Sequence, residues 1–350
     1  MDFISDGKIT EEQNNIFVLP DVLLVRILSE LSWKDILKIK LVSRSFYNFV
    51  HENYHQLNRR EVSDVEIVYV EDSEGFPFSV DFIFARIGSY KSTNGWDGKA
   101  PEFESGEELS RFLKMFDMRN LKLLDLQVYG NLAIFGIINS SFQKGTKIDD
   151  LNITKLSEED FTSFRMFLDK LLLVHDLSIR HVCCHSTEAK DVNPLSFLPF
   201  FNITKGFSIY ECNETRILST DMISNFLRKN PSVERLTIGS GNSEFIRSLF
   251  KEHFTLEQPH KMENTLSYSE ISIDINFFGS EYKQLSRFLM SDLCEPENVQ
   301  EVISIQNFPE RSEVESVINC KHCPKNKHKI KIHATLEDDD NSCQRFESLF

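Results

Sequence analysis

Cys320 and Cys323, followed by His328 and His333, come nearest to a chemical site in this chain. The two cysteines have the C-x₂-C spacing of a zinc ligand pair. The histidines follow too soon, because a zinc finger needs about 12 residues before its His pair. His333 also falls inside an expected strand. The segment therefore reads as a lysine-rich loop with free thiols, and no metal is expected. Cys183-Cys184-His185 sets a nucleophile beside a base in sequence only, since neighbouring residues of a strand point to opposite faces. Cys212 and Cys294 read as single thiols without an evident partner. Asp and Glu are abundant but dispersed. No acid/base dyad stands out, and neither a Gly-rich phosphate loop nor a nucleophile-elbow serine is present. The acidic run at 337–340 reads as a solvated tail. These residues point away from catalysis: no catalytic residue and no cofactor is expected, and the chain is read as a non-enzyme.

The more informative residues are apolar. In LPDVLLVRILSELSWKDILKIKLVSRSFYNFV, residues 19–50, Pro20 suits the first turn of a helix, where its missing N–H costs nothing. Val22, Leu23, Val25, Ile27, Leu28 and Leu31 then recur too densely for a helix that buries one face. Ser32, with Asp35 three residues on, fits a box-like helix start. Ile36, Leu37, Ile39, Leu41 and Val42 repeat the apolar excess, and Phe46, Tyr47, Phe49 and Val50 edge a third helix. Three short helices cannot bury this much apolar surface by themselves. One face must dock elsewhere.

The ordered pattern resembles an F-box. The resemblance implies that Leu19, Pro20, Leu23, Ile27, Leu28, Leu31, Ile36, Leu37, Leu41 and Val42 build the three-helix unit or bind a Skp-type adaptor. Arg44 would occupy a basic position of the closing motif. Phe46 would supply an aromatic plug where many F-boxes carry Trp, and Ser43 stands where many carry Cys. By that resemblance the protein is a substrate-recognition adaptor of a Skp–cullin–F-box ubiquitin ligase. Its Skp-type adaptor would bring cullin and RING subunits, and its C-terminal region would hold a protein substrate. The alternative is a solenoid scaffold or interaction module without ligase function.

Composition agrees with a binding protein. Hydrophobic residues make up 41% and charged residues 27%, as in a soluble globular chain. A net charge of −15 argues against a general nucleic-acid binder, which needs a basic face. Against that acidic background, residues 19–50 carry Arg26, Lys34, Lys38, Lys40 and Arg44 but only Asp21, Glu30 and Asp35, which suits an acidic partner such as a Skp-type adaptor. No apolar run is long enough for a membrane helix. Seven unpatterned cysteines suggest free thiols in a reducing compartment, cytoplasmic or nuclear.

Beyond the F-box-like segment the texture changes. Residues 61–72 and 77–88 alternate as β-strands about a Gly75-Phe76-Pro77 break and read as a hairpin or as the first rungs of a sheet. From 107 onward a polar residue followed by apolar-x-apolar recurs, with first apolar positions at 126, 151, 177, 207, 236, 271, 303 and 330. Amphipathic segments such as SEEDFTSFRMFLDKLL lie between them. One strand and one helix about every 29 residues reads as a leucine-rich-repeat-like solenoid, with an ordinary doubly wound α/β domain as the rival reading. The expected class is therefore α/β, an N-terminal three-helix F-box and then a parallel sheet with helices outside. The divisions are a flexible N-terminus at 1–15, the F-box at 16–58, a β-rich start at 59–106, an irregular solenoid at 107–336 and an acidic tail at 337–350. This arrangement is similar to nematode-type F-box families with an F-box-associated or FTH-like C-terminal domain.

In such a solenoid the residue between the two apolar positions faces the open side of the sheet. One expected column holds Gln127, Asn152, Ser178, Ser208, Thr237, Ser272, Ser304 and Lys331. The next holds Tyr129, Thr154, Arg180, Tyr210, Asp274, Gln306 and His333. Tyr129, Arg180, Tyr210 and Asp274 are the candidate substrate contacts, because Tyr and Arg dominate binding hot spots.

Overall fold

The computed structural model describes residues 16–84, 100–184, 203–212, 215–230, 232–251, 271–279, 281–294, 299–307, 311–319 and 329–337. The zinc-like residues Cys320, Cys323 and His328, together with His185, the first fifteen residues and the acidic tail, lie outside them. The chain divides into two units, Met1–Arg60 and Glu61–Phe350.

The first unit is three short helices, α1 (Asp21–Ser29), α2 (Trp33–Lys40) and α3 (Arg44–Asn53), with 3₁₀ turns at Ile16–Val18 and Tyr54–Gln56. Pro20 sits one residue before the first turn rather than in it. It is the N-cap of α1, and its carbonyl accepts from Leu23 N at 2.9 Å and Leu24 N at 3.2 Å. Ser32 caps α2 as its spacing suggests: its Oγ accepts from Asp35 N at 3.3 Å and donates to Asp35 Oδ2 at 2.7 Å. Ser43 does the same for α3 through Phe46 N at 3.2 Å. The carbonyls at the end of α1 are satisfied from a distance. Asn58 Nδ2 donates to Ser29 O at 2.7 Å and Leu31 O at 2.9 Å, covering groups that a helix C-terminus leaves open. Leu24, Leu28, Ile36, Phe49, Val50, Tyr54 and Leu57 are the unit's buried apolar residues. Lys40 Nζ donates to Tyr54 Oη at 2.9 Å and lies 4.6 Å from the centre of the Tyr47 ring. Burial pushes the Tyr54 hydroxyl up to about 12 and lowers the Lys40 ammonium.

The second unit is a mostly parallel mixed α/β sheet. Its strands are β1 (Arg60–Val70, beginning at the boundary residue), β2 (Phe78–Phe84), β3 (Glu102–Phe103), β4 (Phe116–Asp117), β5 (Asn120–Tyr129), β6 (Thr146–Ser157) and β7 (Leu171–Cys183). They continue with β8 (Ile203–Glu211), β9 (Arg235–Ser240), β10 (Ile271–Phe278), β11 (Val299–Asn307), β12 (Arg311–Asn319) and β13 (Lys329–Glu337). The helices are α4 (Gly106–Leu113), α5 (Ile134–Ile138), α6 (Phe161–Leu168), α7 (Thr220–Lys229), α8 (Ser243–Lys251) and α9 (Tyr282–Cys294).

The sheet order is β3-β2-β1-β5-β6-β7-β8-β9-β10-β13-β12-β11, with β4 beside β1. From β1 through β10 to β13 every neighbouring pair is parallel, and the pairs at both ends are antiparallel. β1 and β2 form the hairpin read from the sequence. The apolar run at 132–138 contributes the buried turn of helix α5.

One sheet face is apolar. Leu124, Leu126, Leu151, Ile153, Leu177, Ile179, Phe207, Ile209, Leu236 and Ile238 are all buried, as period-two alternation requires. Phenylalanines fill the space against the helices. Phe135 lies 4.7 Å from Phe164, and Phe207 stacks on Phe226 at 4.2 Å.

Two buried carboxylates organise loops on this scaffold. Asp160 Oδ2 accepts from Phe135 N at 2.8 Å, and burial pushes its carboxyl up to about 6. Glu211, at the end of β8, accepts from Ile217 N and Leu218 N at 3.0 Å each and from Ser240 Oγ, and burial pushes it up to about 7. It thereby ties Ile217 and Leu218, just before α7, to the end of β8.

Register corrects the expected columns. Leu124, not Leu126, lies opposite Leu151, so the first repeat is displaced by two residues. From β6 to β9 the alignment Leu151–Leu177–Phe207–Leu236 is as read. At β10 it slips again, Leu236 facing Ile273 and Thr237 facing Asp274. The Val302–Ile305 repeat is not in the parallel series. It lies in edge strand β11, and β13 pairs directly with β10. The cause is that apolar alternation is unchanged by a shift of two. β5 buries Leu124, Leu126 and Val128 alike, so parity was legible where register was not.

A second correction concerns the thiols. Cys183 and Cys212 are joined as a disulfide, with Cα atoms 5.7 Å apart, rather than free.

Candidate functional site: two protein-interaction faces

The α1 residues divide by helical spacing. Leu24 and Leu28 point into the three-helix unit, whereas Leu19, Leu23 and Ile27 line an open groove with Arg26 and Glu30. Exposure is far above what isolated surface apolar residues show: Val18 83%, Val22 78%, Leu41 85% and Val42 70%, with Leu37 and Tyr47 also exposed. So many apolar side chains on one small unit mark an interaction surface.

Of the residues expected to meet an adaptor, Leu19, Leu23, Ile27, Leu37, Leu41 and Val42 are exposed, and Pro20 and Arg44 are accessible beside them. Leu31 is half-buried, and Phe46 is half-buried with its ring 4.8 Å from that of Phe17. Leu28 and Ile36 are corrected: at 3% and 1% exposure they hold the unit together and have no surface to offer a partner. Val18, Val22 and Tyr47 are exposed as well, though they are not among the residues expected to meet an adaptor. Apolar density revealed that α1 has two apolar faces, but only the packed helices show which face is covered.

The uncovered face of the sheet is the second candidate. Across it run Glu66, Asp125, Asn152, Ser178, Ser208, Thr237 and Asp274, in one register row and all half-exposed. Gln127 Nε2 bridges two neighbouring carboxylates, donating to Glu66 Oε1 at 2.7 Å and Asp125 Oδ2 at 3.1 Å, and Tyr129 Oη donates to Gln127 Oε1 at 3.1 Å. Burial raises the Glu66 carboxyl, and the charges of Asp125 and Asp81 add to the effect.

Two glycines let side chains reach across a whole strand. Arg235 on β9 meets Asp176 on β7 at 2.8 Å above Gly206 of β8. Tyr210 on β8 lies over Gly239 of β9, where its Oη accepts from Asn276 Nδ2 of β10 at 3.1 Å. A Cβ at Gly239 would fall on the Tyr210 ring. Gly239→Ala is therefore expected to cost about 1–3 kcal/mol through overpacking, and Tyr210→Phe, which loses the hydroxyl's bonds to Asn276 and Ser208, about 1–3 kcal/mol. Urea unfolding measures both, and an unchanged Gly239→Ala midpoint would contradict the bridging geometry.

Tyr129, Arg180, Tyr210 and Asp274 thus share the uncovered face but not one column. Arg180 follows Ile179, which faces Ile209, the residue before Tyr210. Its charge reaches Tyr129. Asp274 lies beside Thr237, one row from Tyr210, and its charge helps to raise the buried Tyr210 hydroxyl. Among the described residues no group of His, Cys, Asp and Glu is arranged to hold a metal, and no helix is long and apolar enough to cross a membrane.

Against known families, residues 16–60 match the F-box-like model. The match spans the three-helix unit and supports an F-box protein, and F-box domains bind Skp-type adaptors of ubiquitin ligases. No curated protein matches the chain.

Proposed function

We propose that this protein is the substrate-recognition adaptor of a Skp–cullin–F-box ubiquitin ligase, acting in the cytoplasm or nucleus and performing no chemistry itself. The uncovered apolar stripe of α1 and α2 carries the reading: Leu19, Val22, Leu23, Ile27, Leu37, Leu41 and Val42 are the surface a Skp-type adaptor would bury. The substrate would then be held close to a charged conjugating enzyme, which raises effective concentration.

The second unit is read as an irregular leucine-rich-repeat-like solenoid of the FTH-like kind, its uncovered sheet face holding the substrate. Chain-order adjacency of β1, β5, β6, β7, β8, β9 and β10 supports this reading, because a doubly wound sheet reverses its strand order partway. Tyr129, Arg180 and Tyr210 are the residues that would anchor a partner there.

The test is reconstitution. The full chain is mixed with a purified Skp-type adaptor, cullin and RING subunit, and assembly is followed by size-exclusion chromatography. The expected result is a stoichiometric complex containing the cullin. A complex with the adaptor alone would favour a scaffold, and no complex from folded protein would overturn the proposal.

A further inference from the structure

Val182 of β7 lies opposite Glu211 of β8, so the next residue of each strand, Cys183 and Cys212, falls side by side at the strand ends. Their Cα separation of 5.7 Å lies within the ordinary disulfide range. The two are 29 residues apart in sequence, so neither is a local accident of the other. Cys183 is buried and Cys212 half-buried, so Cys212 is the more exposed residue of the two.

The crosslink sits at a junction. Cys212 N donates to Val182 O at 3.1 Å, Thr215 N donates to Cys212 O at 2.9 Å, and Thr215 Oγ1 accepts from Cys184 N at 3.1 Å. Beside it, the Glu211 carboxylate gathers Ile217 N and Leu218 N. Arg180 and Tyr210, on the uncovered face, lie three and two residues before the sulfurs.

We infer that Cys183 and Cys212 form a reversible redox clasp that fixes the ends of β7 and β8, and with them the part of the sheet face carrying Arg180 and Tyr210. Its resting dithiol state rests on the intracellular reading above, because disulfides in reducing compartments are transient or sensing ones. The oxidant is a disulfide of low molecular weight such as glutathione disulfide. The thiolate of Cys212, the more exposed residue, attacks it and expels one glutathione thiolate. The Cys183 thiolate then attacks the mixed disulfide at the Cys212 sulfur and expels the second. Two protein thiols lose two protons and two electrons, and one glutathione disulfide becomes two glutathione molecules. Closing a loop of this size restricts the unfolded chain and so stabilises the fold.

The full chain is equilibrated in glutathione buffers running from fully reduced to fully oxidised, free thiols are blocked, and a digest is read by mass spectrometry. The expected result is a Cys183–Cys212 linked peptide that appears and disappears within that range. The linkage should raise the melting temperature by roughly 5 °C or more and slow amide exchange at Arg180–Cys184 and at Ile217 and Leu218. Cys183→Ser should accumulate glutathione on Cys212 and lose the shift, and Cys184→Ser should keep it. The clasp is overturned by a pair that stays dithiol in glutathione disulfide, by a linkage that persists in excess reduced glutathione, or by linkage without any change in melting or exchange. None of these outcomes touches adaptor assembly, so the clasp and the ligase proposal fail separately.

Discussion

Replacing Val22 and Leu23 by aspartate is expected to lower affinity for a Skp-type adaptor by at least about 100-fold while leaving the fold intact, since an unpaired buried carboxylate costs several kcal/mol. Val22 is 78% and Leu23 46% exposed in the free chain, so the substitutions remove little internal packing. Both lie in the first turn of α1, where a negative charge interacts favourably with the helix dipole. The melting temperature should therefore hold within about 2 °C, because surface changes of this kind stay near ±0.5 kcal/mol. Leu28→Ala and Ile36→Ala should behave oppositely. These buried side chains leave cavities, and each change should cost about 2–5 kcal/mol of stability. Calorimetric titration beside thermal melts separates the two classes. Full binding by the aspartate pair would remove the exposed stripe from the interface.

The second large effect is expected at Glu211. Its carboxyl is 1% exposed and burial raises it from the usual 4.5 to about 7, so the folded state holds this proton more tightly than the unfolded chain does. An acid raised in this way makes stability fall as pH rises from about 4.5 to about 7, and the loss is complete above that. The size of that loss is on the order of 3 kcal/mol. Asp160, raised by burial to about 6, adds a decline of the same sign between about 3.8 and about 6.

Glu211→Gln keeps an acceptor for Ile217 N and Leu218 N, and its amide nitrogen can donate to Ser240 Oγ, reversing the bond that Ser240 donates to Glu211. It should match the parent at pH 4.5, exceed it at pH 8, and leave only the Asp160 decline. Glu211→Ala strands both amides and opens a cavity, so it should lose about 3 kcal/mol or more at pH 4.5, with the deficit narrowing toward pH 8, where the parent bears the cost of ionising Glu211. Urea unfolding at pH 4.5, 6 and 8 reads all three proteins. An unchanged slope in Glu211→Gln would rule out Glu211 as the source.

The helix start at Ser32 was legible because a cap depends on residues three apart, whereas the cap at Ser43 emerged only from the structure. The two-faced apolar character of α1 and α2 was legible from density, and the hairpin of β1 and β2 from alternation around the Gly75–Pro77 break. The inward parity of the parallel strands was legible for the same reason. All of these are properties of a few consecutive residues.

What the tertiary structure decided depends on partners distant in the chain. Helix packing, not apolar density, turned Leu28 and Ile36 inward and left Val22 uncovered. Inter-strand hydrogen bonding chose between registers two residues apart that apolar alternation leaves equivalent, and so moved Asp274 out of the row of Tyr210. That same register brought Cys183 to Cys212 across 29 residues, and it placed Gly206 and Gly239 beneath the side chains that cross them. Alternation reports only which way a side chain points, whereas contact across the sheet requires knowing what stands beside it.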